Sequence, residues 1–327
     1  MPAIRRILVA VKDTSARSLP AVQKAAQIAR AFNAQLELFH AISEPVYVDA
    51  LAIAGQTVSQ LQKTWRDAHL KKLEKVADKL RADGTKVVTA VDWDFPAFES
   101  ILRRATRIKA DLVVAERHAT RHLAPWVLRF NDWELLRRSR VPVLLVKSSQ
   151  LYDRPVVLAA VDPGHSFAKP AKLDTAILGA GAQLAAALQG SLHVAHAFVP
   201  STVDVEKLDL NLPNLPAHIE AQAAKHAQAL LDRALSGSAI APAKRHLVGR
   251  HAVDAIPELA KELKAQIVVM GAISRTGIRR LLIGNTAERI LDALPCDVLV
   301  LKPANFASRV PRARRGVQFI ATPSLAV

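Results

Sequence analysis

Near the C-terminus the chain reads MGAISRTGIRRLLIGNTAERI, from Met270 to Ile290. Gly271 and Gly284 stand thirteen residues apart, and Asn285-Thr286 follow the second glycine at the start of a helical pattern. Glycine lets a backbone come close to a ligand. The free N–H groups at a helix start favour a phosphate, and Arg275, Arg279 and Arg280 add positive charge. Two readings fit these residues. One is a phosphate cradle. The other is a helix cap after a strand: Asn285 with Glu288 three residues later makes a capping pair, and Gly271 and Gly277 suit turns. The spacing is not that of a P-loop, and no P-loop lysine is present.

Other reactive residues give weaker patterns. His118 and His122 have the spacing of two ligands on one helical face, but Glu116 is the only acid close by and no cysteine completes a set. The stretch ERHATRH reads as a surface loop, with no metal implied. His193 and His196 flank a strand end, where packing explains them. Cys296, in PCDVLVLK, sits in an apolar run that predicts burial rather than nucleophilic use. No GxSxG motif and no paired acid–base signature is present. Trp126 and Trp133 lie near Arg129, Arg137 and Arg138. They could stack on a base, but their spacing also suits helix packing.

The elements that must position these residues form a repeat. Strand patterns run over Ile4–Val11, Gln35–Ala41, Lys86–Asp92, Asp111–Ala115 and Val141–Lys147. They return as Val156–Val161, Ser191–Phe198, Ala243–Val248, Gln266–Met270 and Cys296–Lys302. The near-continuous apolar runs VVLAAV, IVVM, VLVL and VPVLLV suit a parallel sheet covered on both faces. Helical patterns lie between them: Arg17–Phe32, Val58–Ala82 and Ala97–Ile108 in the first half, then Lys169–Leu188, Ala217–Ser236 and Val253–Leu263. Alternating strands and helices predict a doubly wound α/β fold. The halves match at an offset of about 155 residues, and Asp111–Lys147 lies on Gln266–Lys302 without a gap. The expected domains are 1–150 and 151–303, joined through SSQLYDRP, with 304–327 as a basic flexible tail.

The chain of 327 residues is long enough for two cores. No apolar run reaches the roughly 18 residues of a membrane span. In MPAIRRILVAVKD, Lys12 and Asp13 end the apolar run too early for a signal peptide. One cysteine makes no internal disulfide, which points to the reducing cytoplasm. The net charge of +16 is uneven: residues 1–150 hold 25 Lys/Arg against 15 Asp/Glu, and the tail carries Arg309, Arg312, Arg314 and Arg315 without an acid. Such charge suits a solvated surface, and it also leaves a nucleic-acid or anionic-surface partner open.

With the repeat and the Gly271–Thr286 loop in view, the chain resembles the universal stress protein family, over about residues 1–303. Nucleotide-binding members carry G-x2-G-x9-G-[ST] after the fourth strand. The outer glycines, Gly271 and Gly284, fit. Ser274 replaces the middle glycine, and Asn285 precedes Thr286. ILVAVKDTSARSLPAV resembles the family's first strand and helix, with Asp13 as its acidic residue and Lys12 inserted. Two copies make a tandem type, most like the E-type members through GNTAERILDALPCDVLVLKP and NDWELLRRSRVPVLLVK. The resemblance implies two Rossmann-like α/β domains of five parallel strands each, a cytoplasmic protein, and pairing between the two copies or a homodimer. It implies ATP in the second copy, with Asp162 and Ala197 near adenine and ribose and Gly271, Ser274, Gly284, Asn285 and Thr286 around the phosphates. In the first copy Glu116 stands where Gly271 stands, Ala119 where Ser274 stands and Arg129 where Gly284 stands, so no ATP is expected there. No general base or metal set is legible. The expectation is therefore a stress-response adaptor with an unidentified protein partner rather than an enzyme. A slow ATPase using the Gly284 loop is the rival, and an apolar ligand under the loop Val199–Pro216 is a third reading.

Overall fold

A computed structural model describes residues 3–49, 57–117, 133–164, 173–199, 215–272 and 285–322. The chain divides into two compact units, Pro2–Leu151 together with Ala307–Val327, and Tyr152–Phe306. The N-terminal unit runs β1 (Arg6–Ala10), α1 (Pro20–Phe32), β2 (Gln35–Ile42), β3 (Val46–Asp49), α2 (Thr57–Ala82), β4 (Val87–Trp93), α3 (Ala97–Arg107), β5 (Leu112–Glu116) and β6 (Val143–Val146). Residues 133–138 are helical. The C-terminal unit runs β7 (Val156–Val161), α4 (Leu173–Ala187), β8 (Ser191–Ala197), α5 (Leu215–Ala234), β9 (Arg245–Val248), α6 (Ala252–Glu262), β10 (Ile267–Gly271), α7 (Asn285–Ala293) and β11 (Asp297–Leu301).

The strand order is β4-β2-β1-β5-β6 in one unit and, in the same sense, β9-β8-β7-β10-β11 in the other. Every pair within these orders is parallel. β6 and β11 are buried at every residue. Successive side chains of a strand face opposite ways, so consecutive burial means that both faces are covered, as the apolar runs predict. Each order reverses between its first and fourth core strands: β1 and β5 in one unit, β7 and β10 in the other. In an open parallel sheet that switch point is where ligands sit, beyond the carboxyl ends of the strands.

The duplication extends to helix ends. Lys109 after α3 and Lys264 after α6 both adopt φ 51°. In each case the next residue's N–H reaches back five residues, Ala110 to Ala105 O and Ala265 to Ala260 O, both at 2.8 Å. Asn33 after α1 and Gln189 after α4 form a second such pair, at φ 50° and 55°. These left-handed residues close the helices and satisfy their last carbonyls.

Two expectations need correction. The pattern read as strand from Ala243 begins as a 3-10 turn, Pro242–Lys244, and extends only over Arg245–Val248. The proline fixes φ and starts the turn. More consequentially, the segment read as a flexible tail is described through Thr322 and lies on the N-terminal unit. There β12 (Phe319–Thr322) pairs in parallel with β3, and Arg314 and Arg315 meet Asp92 and Glu99. A polar stretch without periodicity shows no element of its own. Its order comes from carboxylates distant in sequence.

The segment read as a linker is also anchored. Tyr152, 7% exposed, donates its hydroxyl to Asp297 Oδ2 at 2.6 Å, and Asp297 is fully buried at the head of β11. Burial, then the neighbouring Asp297, push the Tyr152 phenol well above its ordinary range, so the hydroxyl keeps its proton and donates. Tyr152→Phe removes one buried, charge-assisted hydrogen bond, a loss of about 1–3 kcal/mol. Urea unfolding of the variant should show a lower midpoint with an unchanged slope; an unmoved midpoint would refute this anchoring role.

Candidate functional site

Strand register brings part of the expected site together. In the C-terminal unit Ala160 pairs with both Met270 and Ala195. Val161, His196 and Gly271 therefore stand level at the carboxyl ends of β7, β8 and β10. Asp162 and Ala197 lie level with each other, Asp162 one residue beyond the end of β7. The Asp162 N–H donates to Asp174 Oδ1 at 3.2 Å, tying the strand end to the first turn of α4. Thr286 is exposed in the first turn of α7. Ser274 and Gly284 lie outside the described residues, as does the side chain of Asn285. The described part of α7 begins at Asn285.

Gly271 has a packing role that sequence reasoning missed. A Cβ there would lie 2.6 Å from Leu173 Cδ2 and 3.3 Å from Ile177 Cδ1. Both neighbours are buried in α4, at 3% and 1% exposure. Gly271 thus lets the first turns of α4 close onto β10. The absence of a side chain at Gly271 serves helix–sheet packing whether or not a ligand is bound.

The N-terminal unit repeats the layout with different chemistry. Ala10 pairs with Phe39 and with Ala115, so Val11, His40 and Glu116 are level, as Val161, His196 and Gly271 are. His40 is buried and donates Nδ1–H to the Val11 carbonyl at 2.8 Å. His196 is also buried and makes the corresponding, longer contact to Val161 O at 3.3 Å. Glu116 takes the Gly271 position, as the ungapped match predicts.

The loop after β1 is fastened by α2. His69 Nδ1 meets Thr14 Oγ1 at 2.8 Å, and Lys72 Nζ donates to Ser15 Oγ at 2.8 Å. Asp13 Oδ1 accepts the Ser15 N–H at 2.7 Å, closing a local turn. His69 stacks on His40 with ring centroids 4.5 Å apart. Burial lowers the pKa of both imidazoles, and for His69 the neighbouring His40 adds to the effect. The cleft left among Lys12, Asp13, Leu19 and Glu116 is about 40 Å³. Ligand pockets occupy roughly 300–1,000 Å³, so the cleft formed by the described residues is small. A cleft of about 200 Å³ lined by Arg6, Gln35 and Glu37 lies at the opposite ends of the strands, away from the switch point.

The remaining candidates are quickly placed. Cys296 is buried, as predicted. His193 pairs with His246 on β9, Nδ1 to Nε2 at 2.9 Å, and does not face the strand end. Its neighbour His196 faces the other way by strand alternation. His118, His122, Trp126 and Arg129 lie outside the described residues. Among the described residues no three His, Cys, Asp or Glu side chains are grouped to hold a metal, and no helix is long and apolar enough to cross a membrane.

The packing role of Gly271 predicts a specific coupling. Gly271→Ala should destabilise the C-terminal unit by about 1–3 kcal/mol through overpacking. In a Leu173→Ala background the clash is gone, so the double variant should lose less than the sum of the two singles. Additive losses in urea titrations would show that the Leu173 contact does not require glycine.

The descriptive model of the universal stress protein family matches residues 3–147 and again 156–302. Universal stress protein E of Photorhabdus laumondii is 25% identical over 311 residues, covering 94% of this chain and 98% of the relative. Universal stress protein E of Escherichia coli K12 is 28% identical over 229 residues, covering 69% of this chain and 72% of the relative. Among solved structures, a functionally unknown protein from Pseudomonas aeruginosa PAO1 superposes with a TM-score of 0.71 at 26% identity, covering 93% of this chain and 94% of that one. The doubled α/β architecture, the two family matches and these full-length likenesses agree: the chain belongs to the universal stress protein family and carries two copies of its domain.

Proposed function

We propose that this chain is a cytoplasmic stress-response adaptor whose C-terminal unit binds one ATP-class nucleotide, while the N-terminal unit serves as a scaffold and partner surface. The observation that carries the reading is the difference at one register level, Gly271 in one unit and Glu116 in the other. A carboxylate at the phosphate end repels phosphate, by about 1 kcal/mol at 4 Å in water and more where solvent is excluded. The small cleft beside Glu116 supports the same assignment.

In the C-terminal unit the Asp162 carboxylate is an acceptor suited to ribose hydroxyls or the adenine amine. Ala197 offers backbone and a small side chain beside it. The family motif assigns Gly271, Ser274, Gly284, Asn285 and Thr286 to the phosphates, and the N-terminal turn of α7, with Thr286, would supply N–H groups and partial positive charge.

The test is calorimetric titration of ATP with Mg²⁺ into the full chain. The wild type should bind one equivalent per chain. Gly284→Asp and Asp162→Ala should each weaken binding at least tenfold while circular dichroism stays native, and Glu116→Gln should leave the stoichiometry at one. Two equivalents, or none in a folded wild type, would defeat the proposal. Release of phosphate above a protein-free blank, abolished by Thr286→Ala, would favour the ATPase instead.

A further inference from the structure

The end of β4 and the first turn of α3 hold a concentration of buried acid. Asp92, Asp94 and Glu99 are 8%, 1% and 1% exposed. Within the fold, Arg103 answers two of them. Its Nε and Nη2 donate to Asp94 Oδ2 at 3.1 and 2.5 Å, and its Nη1 donates to Glu99 Oε2 at 3.1 Å. Arg107 approaches Asp92 at 3.6 Å. Arg103 therefore holds Asp94 and Glu99 through one oxygen each, and leaves Asp94 Oδ1, Glu99 Oε1 and Asp92 to other donors.

Residues 311–318 meet the rest. Arg314 Nη2 contacts both oxygens of Asp92, at 2.9 and 3.0 Å. Arg315 forks onto Glu99, with Nε to Oε2 at 3.0 Å and Nη2 to Oε1 at 2.8 Å. The backbone N–H groups of Arg315 and Gly316 converge on Asp94 Oδ1, each at 3.0 Å. Gly316 has φ +76°, a conformation open to glycine and strained for other residues. The Pro311 carbonyl accepts from Arg103 Nη1 at 3.2 Å. The Gln318 carbonyl accepts from the Val46 N–H at 2.8 Å, and β12 then continues along β3.

The two sides of this contact differ in kind. Asp94 and Glu99 are held by Arg103, and Asp92 is approached by Arg107, all within the fold of the N-terminal unit. The segment lying on them contributes no buried residue from 307 to 318, and its Arg314 and Arg315 side chains are 48% and 56% exposed. The side that is fixed by its own fold has the character of a receptor. The side attached by charge, two N–H groups and strand addition has the character of a bound peptide.

We propose that the N-terminal unit carries a peptide-recognition site for an extended Arg-Arg-Gly segment followed by a β-strand, and that residues 307–322 are its resident, displaceable occupant. Asp92 and Glu99 select the two arginines, Asp94 reads the backbone turn at glycine, and β3 takes up the strand. The partner is a protein presenting an exposed basic segment of this pattern. It gains the site by displacing the chain's own segment.

The experiment uses the full chain with a protease recognition sequence between Phe306 and Ala307, cut after folding. A fluorescein-labelled synthetic peptide of residues 307–327 is followed by anisotropy. The cut chain should bind it, and the uncut chain at least tenfold more weakly, because the tethered segment competes at high effective concentration. Binding should fall at least fivefold between 50 and 500 mM NaCl, as expected for half-exposed charges. Peptides carrying Arg315→Lys or Gly316→Val should bind at least tenfold more weakly, and these need no change in the chain. Three results would each overturn the proposal: a scrambled peptide of equal charge that binds equally well, a cut segment that never exchanges with labelled peptide, or loss of the N-terminal fold when the segment leaves.

Discussion

Parallel pairing under two covered faces is the constraint that organises each unit. A strand buried at consecutive residues, as β6 and β11 are, leaves no face on which a polar side chain can meet water. In such strands polar side chains are left to the ends, and the parallel direction collects all carboxyl ends on one edge. The strand order then reverses beside β1 in one unit and beside β7 in the other, opening a crevice at that edge. Asp162, Ala197 and Gly271 reach the same edge because of register, though they are separated widely in sequence.

The two copies keep what the sheet demands and differ where it does not. His40 and His196 are both buried, and each turns a ring nitrogen to a carbonyl at the carboxyl end of the neighbouring strand. That contact satisfies a buried acceptor, so it belongs to the fold rather than to a ligand. At the same level Glu116 and Gly271 could hardly be more different in charge and size. In the N-terminal unit, α2 reaches over the first loop through His69 and Lys72, and a polar loop finds its partners within the protein. In the C-terminal unit, Gly271 gives its space to Leu173. A residue that matches a family motif can thus also serve packing.

Much of this was legible in the sequence because it follows from periodicity. VVLAAV marks β7 to the residue, and the offset of about 155 residues predicts which positions correspond, including Glu116 with Gly271. What was not legible depends on pairs distant along the chain. The clash that a Gly271 side chain would meet comes from Leu173, and nothing in either local sequence announces it. β3 and β12 are four residues each and form a two-stranded sheet of their own, so neither gives a run long enough to stand out. His69 lies on a long charged helix, where its approach to Thr14 has no local sign.

The basic C-terminal segment shows why composition misleads most where charge is involved. Four arginines without an acid describe a tail that should stay solvated, if the rest of the chain is treated as a uniform background. The N-terminal unit is far from uniform. It is net basic as a whole, yet it buries Asp92, Asp94 and Glu99 within eight residues of one another. Burying carboxylates is costly unless each is paired and hydrogen-bonded, and Arg103 alone leaves oxygens to be satisfied. The local field at these three residues, rather than the net charge of the unit, draws in Arg314 and Arg315. Because those guanidinium groups remain half exposed, the contact satisfies the acids without committing the segment to the core. That combination is what a recognition site requires, and a purely structural strut would more naturally bury apolar anchors.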